Sequence, residues 1–179
     1  MSSLRLVPAA AILLLAAAAP AAAQPSIPAS EWPTRPNSAS SGLFAVAQAA
    51  TDDADQFMRD WNKATPGAQL HVTHQIARGR PITTFITFRG CRADAAGNCN
   101  VTATFELRDP SGKTTAVPAI EVWAHHPGPP AGVIALSNAS LGLTFDDSDA
   151  LGVHTISATI TDDVAGVTLH TREDITVTK

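Results

Sequence analysis

Apolar and polar residues alternate with a period of two over much of the chain after residue 70. The alternation is clearest at 101–107, where Val101, Ala103, Phe105 and Leu107 share one side and threonine and glutamate take the other. Successive side chains of a β-strand point to opposite faces, so this period predicts strands with one buried and one solvated face. Further strands are predicted at 70–76, 82–88, 120–123, 133–136, 141–145, 153–161 and 167–177.

Turn-forming residues separate these predicted strands at short intervals. In the stretch "DPSGK", Asp109 opens a turn, Pro110 presets its φ angle and Gly112 closes it. The stretch "HHPGPPAG" at 125–132 is rich in proline and glycine and is predicted to be a loop. Many short strands between close turns are typical of an all-β sandwich or barrel, and argue against an α/β sheet.

One segment, "TDDADQFMRDWNKA", has a helical pattern. Thr51 is predicted as its N-cap, three aspartates crowd the positive end of the helix dipole, and Phe57, Met58 and Trp61 share one face. The pattern predicts one short helix over about residues 51–63, near the start of the sandwich. Because helix-start chemistry accounts for the acidic cluster, we do not interpret the cluster as a metal site.

The amino-terminal residues have the pattern of a secretory signal peptide. Arg5 precedes an uncharged apolar run, and alanines at 21–23 follow it, so cleavage is expected after Ala23. Residues 24–41 are rich in proline and serine and are predicted to be a flexible arm. The predicted organisation is therefore a signal peptide at 1–23, the arm at 24–41 and one sandwich domain at 42–179.

The charge and composition limit the partners of the predicted domain. The formal net charge is −4, and it becomes −5 when the signal peptide removes Arg5 and no acid. Mild acidity with scattered basic residues argues against nucleic acid or an anionic membrane as a partner. The aromatic content is 5% and there is no tyrosine. Few aromatic rings are therefore available to build a cleft that stacks on sugar rings. The mature chain is expected in the periplasm or the medium, without a membrane anchor.

The stretch "DALGVHTISATITDDVAGVTLHTREDITV" resembles the closing hairpin of bacterial immunoglobulin-like and PKD-like β-sandwich domains. Together with "FRGC…GNCNVTATFELRDPSGK", it is also similar to a group of uncharacterised secreted proteobacterial proteins. The resemblance implies an immunoglobulin-like antiparallel sandwich and a structural corner at Asp149, Gly152 and His154. His154 stands where that family usually has tyrosine, whose hydroxyl bonds backbone a few residues upstream. A ring nitrogen of histidine can make a similar bond.

Several histidines and aspartates are candidate ligand contacts, but no zinc-motif spacing connects them. His154 and His170 lie on predicted paired strands and are expected to be able to approach each other. Three aspartates precede the strand at 153–161, and Asp162 and Asp163 follow it at its opposite end, so the two groups cannot share a calcium ion. No metal or cofactor is predicted. The remaining candidate ligand contacts are His125, His126, His154, Asp146, Asp147 and Asp149.

The two cysteines of the chain lie in "FRGCRADAAGNCNV". Their C-x7-C spacing is not that of a redox motif, and no neighbouring residues complete a metal site. In an oxidising compartment an even number of cysteines favours a disulfide, so Cys91 and Cys99 are predicted to be bonded. The bond is expected to close the loop of a hairpin between the strands at 82–88 and 101–107.

No catalytic constellation is recognised in the sequence, and the protein is not expected to be an enzyme. The leading hypothesis is a non-catalytic immunoglobulin-like domain that binds or scaffolds another periplasmic or extracellular protein through an edge strand or end loops. One alternative is a periplasmic protein that binds a small ligand or a metal, either calcium or a transition metal. Another is an accessory domain of a hydrolase.

Overall fold

Two β-sheets packed face to face form the body of the protein in a computed structural model, which describes residues 37–63 and 70–179. The described residues form ten strands and one helix, α1, which is Ala54–Lys63. The strands are β1 (Ser38–Ser41), β2 (Phe44–Thr51), β3 (Gln75–Ala77), β4 (Pro81–Arg89), β5 (Asn98–Arg108), β6 (Thr114–Pro127), β7 (Ala135–Leu136), β8 (Leu141–Thr144), β9 (Gly152–Asp162) and β10 (Val167–Thr178).

The first sheet has the order β1-β2-β4, and both β7 and β8 pair with the far side of β4. The second sheet has the order β3-β10-β9-β5-β6. All neighbouring strands are antiparallel except β3, which pairs with β10 in parallel. The predicted all-β sandwich with one short helix is confirmed, with β3 as a parallel addition to its otherwise antiparallel sheets.

The main core lies between the sheets and follows the alternation that the sequence displays. In β9 and β10, every second residue points inward, including Ile156, Ile160, Ile175 and Val177, all of which are buried. The apolar residues of β5 meet them from the neighbouring strand of the same sheet, and β4 packs opposite. Burial of such side chains contributes about 25 cal/mol per Å² of apolar surface, which makes this layer the principal stabilising element.

A second, smaller core lies on the outer face of the first sheet, beneath α1. Phe57 of the helix stacks on Phe85 of β4 with ring centroids 4.5 Å apart, and Trp61 is buried beside them. The strand at 82–88 was expected to have one solvated face, and this is wrong because the helix covers that face. The apolar residues of "ITTFITF" lie on both faces of the strand, with Ile82 in the main core and Phe85 in the smaller one.

Helix α1 begins three residues later than its predicted start. Thr51 is the last residue of β2, and its Oγ1 accepts the N–H of Asp53 at 3.1 Å. The N-cap is Asp53, whose Oδ1 accepts the N–H of Gln56 at 2.8 Å. The residue types at the helix start were therefore interpreted correctly, but the cap belongs to the aspartate and not to Thr51.

The segment 90–97 that contains Cys91 does not close a hairpin, which corrects the sequence-based expectation. Strand β4 belongs to the first sheet and β5 to the second, so this segment crosses from one sheet to the other. At the exit from β4, Gly90 has a φ of 68°, and a Cβ there would overlap the carbonyl oxygen of Leu43. Only glycine allows the backbone to turn this closely.

The strand predicted at 70–76 is shorter in the structure, where it is β3, since residues 70–74 form no strand.

The last residues of the predicted arm are part of the fold. Ser38–Ser41 forms β1, so regular structure begins before residue 42. The predicted signal peptide and the arm up to residue 36 lie outside the described residues. Within the described residues, no helix has the length and apolar character needed to cross a membrane.

Candidate functional site

A groove lies at the seam where the two sheets meet, next to β6. Ser137 follows β7, and its N–H donates to the carbonyl of Ile86 in the first sheet at 2.8 Å. The next N–H, that of Asn138, donates to the carbonyl of Val122 in the second sheet at 2.9 Å. These two consecutive bonds tie the sheets together and leave a depression between β6 and the loop after β7.

We call this depression the seam groove; its volume is about 470 Å³. That volume is within the range of small-molecule and side-chain sites. Three polar side chains and three apolar ones share the lining, so the site combines apolar contact with hydrogen-bonding groups. The lining residues are Ile120, Glu121, Ala124, His126, Asn138 and Ala139.

The irregular path of β6 shapes this groove. Its pairing with β5 shifts register at three places, and one shift opposes Pro118 and Ala119 to a single residue of β5. Each such bulge bends the strand and redirects side chains. The shifts bring Glu121 and His126, five residues apart, into the same lining.

The carboxyl end of β6 carries an unusual backbone angle. His125 has a φ of 53°, and it is the one described non-glycine residue with a positive φ. Residues 125–127 had been predicted as part of a loop; the structure instead places them in β6, paired with β5 through Cys99 and Asn98. Left-handed backbone at a non-glycine residue costs of order 1–3 kcal/mol and is concentrated at functional sites.

The ring of Trp123 contacts the ring of His126. Their ring centroids are 6.0 Å apart in an edge-to-face arrangement, and the indole N–H of Trp123 donates to the carbonyl of Pro127 at 3.2 Å. The indole therefore holds both the imidazole and the backbone that follows it. Phe88 of β4 packs against the same indole in an edge-to-face arrangement, with ring centroids 5.4 Å apart. This end of the groove is anchored in the main core.

Glu121 is the charged group of the groove. It is exposed, and among the residues that the structure describes it forms no ion pair or side-chain hydrogen bond. Across the groove, the Asn138 side chain supplies both donor and acceptor atoms. The lining therefore combines a free carboxylate, an imidazole and an amide with three apolar side chains.

The disulfide lies next to the groove and is formed as predicted between Cys91 and Cys99. Cys99 pairs with His126 across β5 and β6, so the bond braces the strand that carries the imidazole. A Cβ on Gly128 would collide with the Cys99 sulfur, which explains why glycine follows Pro127. The bond is compatible with an extracellular or periplasmic location.

Asp162 fixes the crossover segment to the second sheet. It is fully buried, and its two oxygens accept N–H groups from Arg92 at 2.7 Å, Val164 at 3.1 Å and Ala165 at 3.0 Å. Asp162 is therefore not a solvated turn residue, although it lies at the turn that follows the strand predicted at 153–161. A buried carboxylate that accepts several backbone N–H groups is an anchoring residue.

The predicted corner residues lie at the start of β9, which contains Gly152 and His154, and in the loop before it, which contains Asp149. The Nε2 of His154 is 2.8 Å from the carbonyl oxygen of Ala150, four residues upstream, and the ring packs on Phe145 with centroids 4.6 Å apart. Gly152 has a φ of 120° and lies against Pro110. Asp149 closes the preceding loop, where its Oδ2 accepts the N–H of Asp146 at 2.7 Å.

The candidate ligand contacts do not converge. His154 is buried opposite Ile175, whereas His170 is exposed opposite Thr159, so the expected approach of these two histidines is wrong. His125 and His126 lie in β6, away from the acidic loop that contains Asp146, Asp147 and Asp149. Over residues 37–63 and 70–179, no three histidine, cysteine or carboxylate side chains gather in a way that suits a metal ion.

Local hydrogen bonds account for the acidic loop. The Ser148 hydroxyl and backbone N–H both donate to Asp146 Oδ1, and these bonds hold the pKa of Asp146 below its usual value. The guanidinium of Arg78 also donates to the carbonyl of Asp149. The same turn chemistry recurs at Asp109, whose pKa is lowered first by the Ser111 hydroxyl.

Three residues of interest were missed from the sequence. Glu121 and Asn138 lie in unrelated segments, and no local pattern indicates that the seam groove brings them together. Glu173, by contrast, could have been identified from the sequence, because it occupies an inward position in the alternation of β10. In the structure it is buried. A carboxylate at an apolar position of a strand is the kind of exception that sequence patterning can detect.

The sheet edges offer little continuous backbone for pairing with another chain. Among the described strands, β1, β3, β7 and β8 have only two to four residues each. The longest edge strand, β6, is interrupted by Pro118 and by its register shifts. Short edges, prolines and bulges are the usual protections of an edge strand. The described edges therefore carry the usual protections against addition of a strand from another chain.

These features define a β-sandwich with a groove at its seam. No protein-family model matches the chain, and comparison with curated proteins gives no match. Among solved structures, a superoxide reductase (neelaredoxin) from Ignicoccus hospitalis is similar, with 9% identity, a TM-score of 0.41, and coverage of 62% of this chain and 78% of that one. A family 123 glycoside hydrolase from Clostridium perfringens has 11% identity and a TM-score of 0.41 over 75% of this chain, which spans 27% of the hydrolase. Similarities this weak carry no argument about function.

Proposed function

We propose that the protein is a non-catalytic, secreted or periplasmic immunoglobulin-like domain that binds another protein through the seam groove. The observation that carries the proposal is that the unpaired Glu121 carboxylate shares the lining of this groove with His126, Asn138 and three apolar side chains. A groove with these groups suits a ligand that has one positive charge and an apolar stem. The predicted signal peptide and the disulfide support a location outside the cytoplasm.

The occupant that fits best is an extended segment of a partner protein carrying a lysine or arginine. The aliphatic stem of such a side chain packs on Ile120 and the two alanines while its cationic head reaches Glu121. The amide of Asn138 offers a donor and an acceptor for the backbone of the same segment. The acidic net charge of the domain favours encounter with a basic partner.

The groove chemistry supports binding in preference to catalysis. Its lining offers one carboxylate, one imidazole and one amide, but no hydroxyl or thiol that a base activates as a nucleophile. The strained backbone at His125 serves here to aim the neighbouring imidazole at the ligand.

Selection from a displayed library of random peptides on the mature protein tests this proposal. We expect enrichment of peptides that contain lysine or arginine, and loss of their binding in Glu121→Lys and Ala139→Trp. Thr168→Trp, at an exposed position of β10, is the matched control and is expected to bind as the wild type does. No enrichment of basic peptides, or binding that only Thr168→Trp disrupts, would sink the proposal.

A small ligand or a transition metal is the second candidate, because Glu121 and His126 line the same groove. Thermal unfolding with and without added zinc distinguishes it, since a ligand that binds only the folded state raises the midpoint. This candidate requires that zinc raises the unfolding midpoint of the wild type and that His126→Ala abolishes the rise. His170→Ala, at an exposed site on β10, must retain it. An unchanged wild-type midpoint rejects zinc binding at this groove.

A further inference from the structure

Glu173 is a carboxylate placed in the interior of the sandwich. It lies on β10 between Thr171 and Ile175, which also point inward, and its side chain is 2% exposed. Neither of its oxygens has a hydrogen-bond partner of normal geometry among the described residues. A buried carboxylate without partners is costly in its charged form. Its presence at an otherwise apolar position requires an explanation.

Residues 70–74, which we call the cover segment, lie over this carboxylate. The N–H of Thr73 donates to the carbonyl of Ala50 at the end of β2 at 2.9 Å. On the other side, the N–H of Thr176 in β10 donates to the carbonyl of His74 at 2.8 Å. The cover segment thus connects the first sheet to the second across the position of Glu173.

Two histidines of the cover segment contact carboxylates. His71 Nε2 is 2.9 Å from Asp52 Oδ1, and both side chains are largely exposed. His74 Nδ1 is 3.4 Å from Glu173 Oε1, with the imidazole 65% exposed to solvent. The second contact is an ion pair only while the imidazole is protonated and the carboxylate is not. Otherwise a buried carboxylate faces a neutral ring.

The surroundings of Glu173 favour its protonated form. Burial raises the pKa of Glu173 to about 7, the Ala50 amide opposes that rise, and the charge of the adjacent Asp174 adds to it. Strands β1 and β2 present no titratable group here. From β9, His154 faces the same interior but bonds the Ala150 carbonyl. The one titratable side chain from another described element in contact with Glu173 is His74.

We propose that Glu173 and His74 form a proton-operated latch for the cover segment. The latch is closed while Glu173 holds its proton, or while ionised Glu173 is paired with protonated His74. Once both groups have lost their protons, the buried negative charge has no cationic partner. Water then reaches the carboxylate only if the cover segment moves away from Ala50 and β10.

Release of the cover segment has consequences for the smaller core. Leu70, its first residue, packs against the apolar cluster beneath α1. Movement of the cover segment therefore uncovers part of the cluster that contains Phe57 and Trp61. The latch is a regulatory device independent of the seam groove, and it couples the pH outside the cytoplasm to exposure of this second surface.

Hydrogen exchange of the folded full-length mature protein tests the latch. We expect the protection factors of the Thr73 and Thr176 amides to fall about tenfold or more between about pH 5.5 and about pH 8.5, because local opening releases these amides without global unfolding. The amide of Ile160, in the middle of β9, serves as the reference for global opening and is expected to keep its protection.

Glu173→Gln keeps the shape of the side chain and removes the proton-dependent charge. In this variant we expect the protection of Thr73 and Thr176 to be independent of pH over the same range. Glu106→Gln, a matched substitution of an exposed glutamate on β5, is expected to behave as the wild type. A pH-independent wild type, or a Glu173→Gln variant that loses protection as the wild type does, would overturn the proposal.

Discussion

Gln48 and Thr171 are separated by 123 residues in the chain and joined by a hydrogen bond in the buried interior. The Thr171 hydroxyl donates to Gln48 Oε1 at 2.8 Å, and Gln48 Nε2 donates to the carbonyl of Ile156 at 3.2 Å. One side chain of the first sheet therefore binds two strands of the second. This polar bridge fixes the alignment of two sheets whose other interior contacts are mostly non-directional.

Replacing Gln48 by leucine is expected to lower the free energy of unfolding by about 1–3 kcal/mol, because the Thr171 hydroxyl then loses its buried acceptor. Denaturation in urea measures the loss. The double variant Gln48→Leu/Thr171→Val is expected to recover part of the stability, since both polar groups are then removed. Strictly additive losses in the double variant would contradict a direct coupling between the two residues.

Removal of the disulfide by Cys91→Ser and Cys99→Ser together is expected to cost about 2.5 kcal/mol. The cause is the additional freedom of the unfolded chain when a short closed loop is opened. Denaturant unfolding of the oxidised and the double-serine protein gives the difference. The oxidised protein is also expected to show no free thiol after unfolding, and detection of two thiols would refute the bond.

The stability of the protein is expected to depend on pH through Glu173. Because burial raises the pKa of Glu173 from 4.5 to about 7, the folded state holds a proton that the unfolded state releases. The associated stability is therefore fully present below about pH 4.5 and is lost as the pH rises through about 7. The full effect is about 3 kcal/mol.

Unfolding of wild type and Glu173→Gln at several pH values isolates this contribution. The variant is expected to gain stability relative to the wild type as the pH rises from about 4.5 to about 7.5. Glu106→Gln provides the comparison for an exposed glutamate. A constant difference between wild type and Glu173→Gln across this range would show that the pKa of the Glu173 carboxyl is not raised.

Gly90→Ala tests the close approach at the exit from β4. A methyl group there overlaps the Leu43 carbonyl, and the residue has a positive φ. We therefore expect the free energy of unfolding to fall by more than about 2 kcal/mol. Gly97→Ala shares the positive φ but has no atom within 4 Å of the added Cβ. This control is expected to lose only about 1 kcal/mol, and equal losses in thermal unfolding would refute the steric explanation.

The closing hairpin was the part of the fold that sequence patterning predicted most accurately. The strands predicted at 153–161 and 167–177 correspond to Gly152–Asp162 and Val167–Thr178. Most of their inner residues are apolar and most of their outer residues are polar. The predicted period and the predicted buried face therefore agree with the structure. The turn between them contains aspartates and Gly166, which has a φ of 67°.

Patterning failed where burial is decided by a distant element. Phe85 is buried because α1 lies over it, and Asp162 is buried because the crossover segment donates the Arg92 N–H to it. The assignment of β4 and β5 to different sheets has the same origin, since local turn chemistry at 94–98 is the same in a hairpin and in a crossover. The seam groove combines β6 with the loop after β7, and no periodicity relates these segments.

The position of the disulfide at the crossover has a mechanical consequence. If the protein is stretched between its ends, tension passes from β4 to β5 through the bond between Cys91 and Cys99, and the enclosed segment bears none of it. Reduction adds that hidden segment, whose cysteines are eight positions apart, to the extensible length of the chain. The unfolded protein then lengthens by about 20 Å, which makes the oxidation state readable as a distance in a single-molecule pulling experiment.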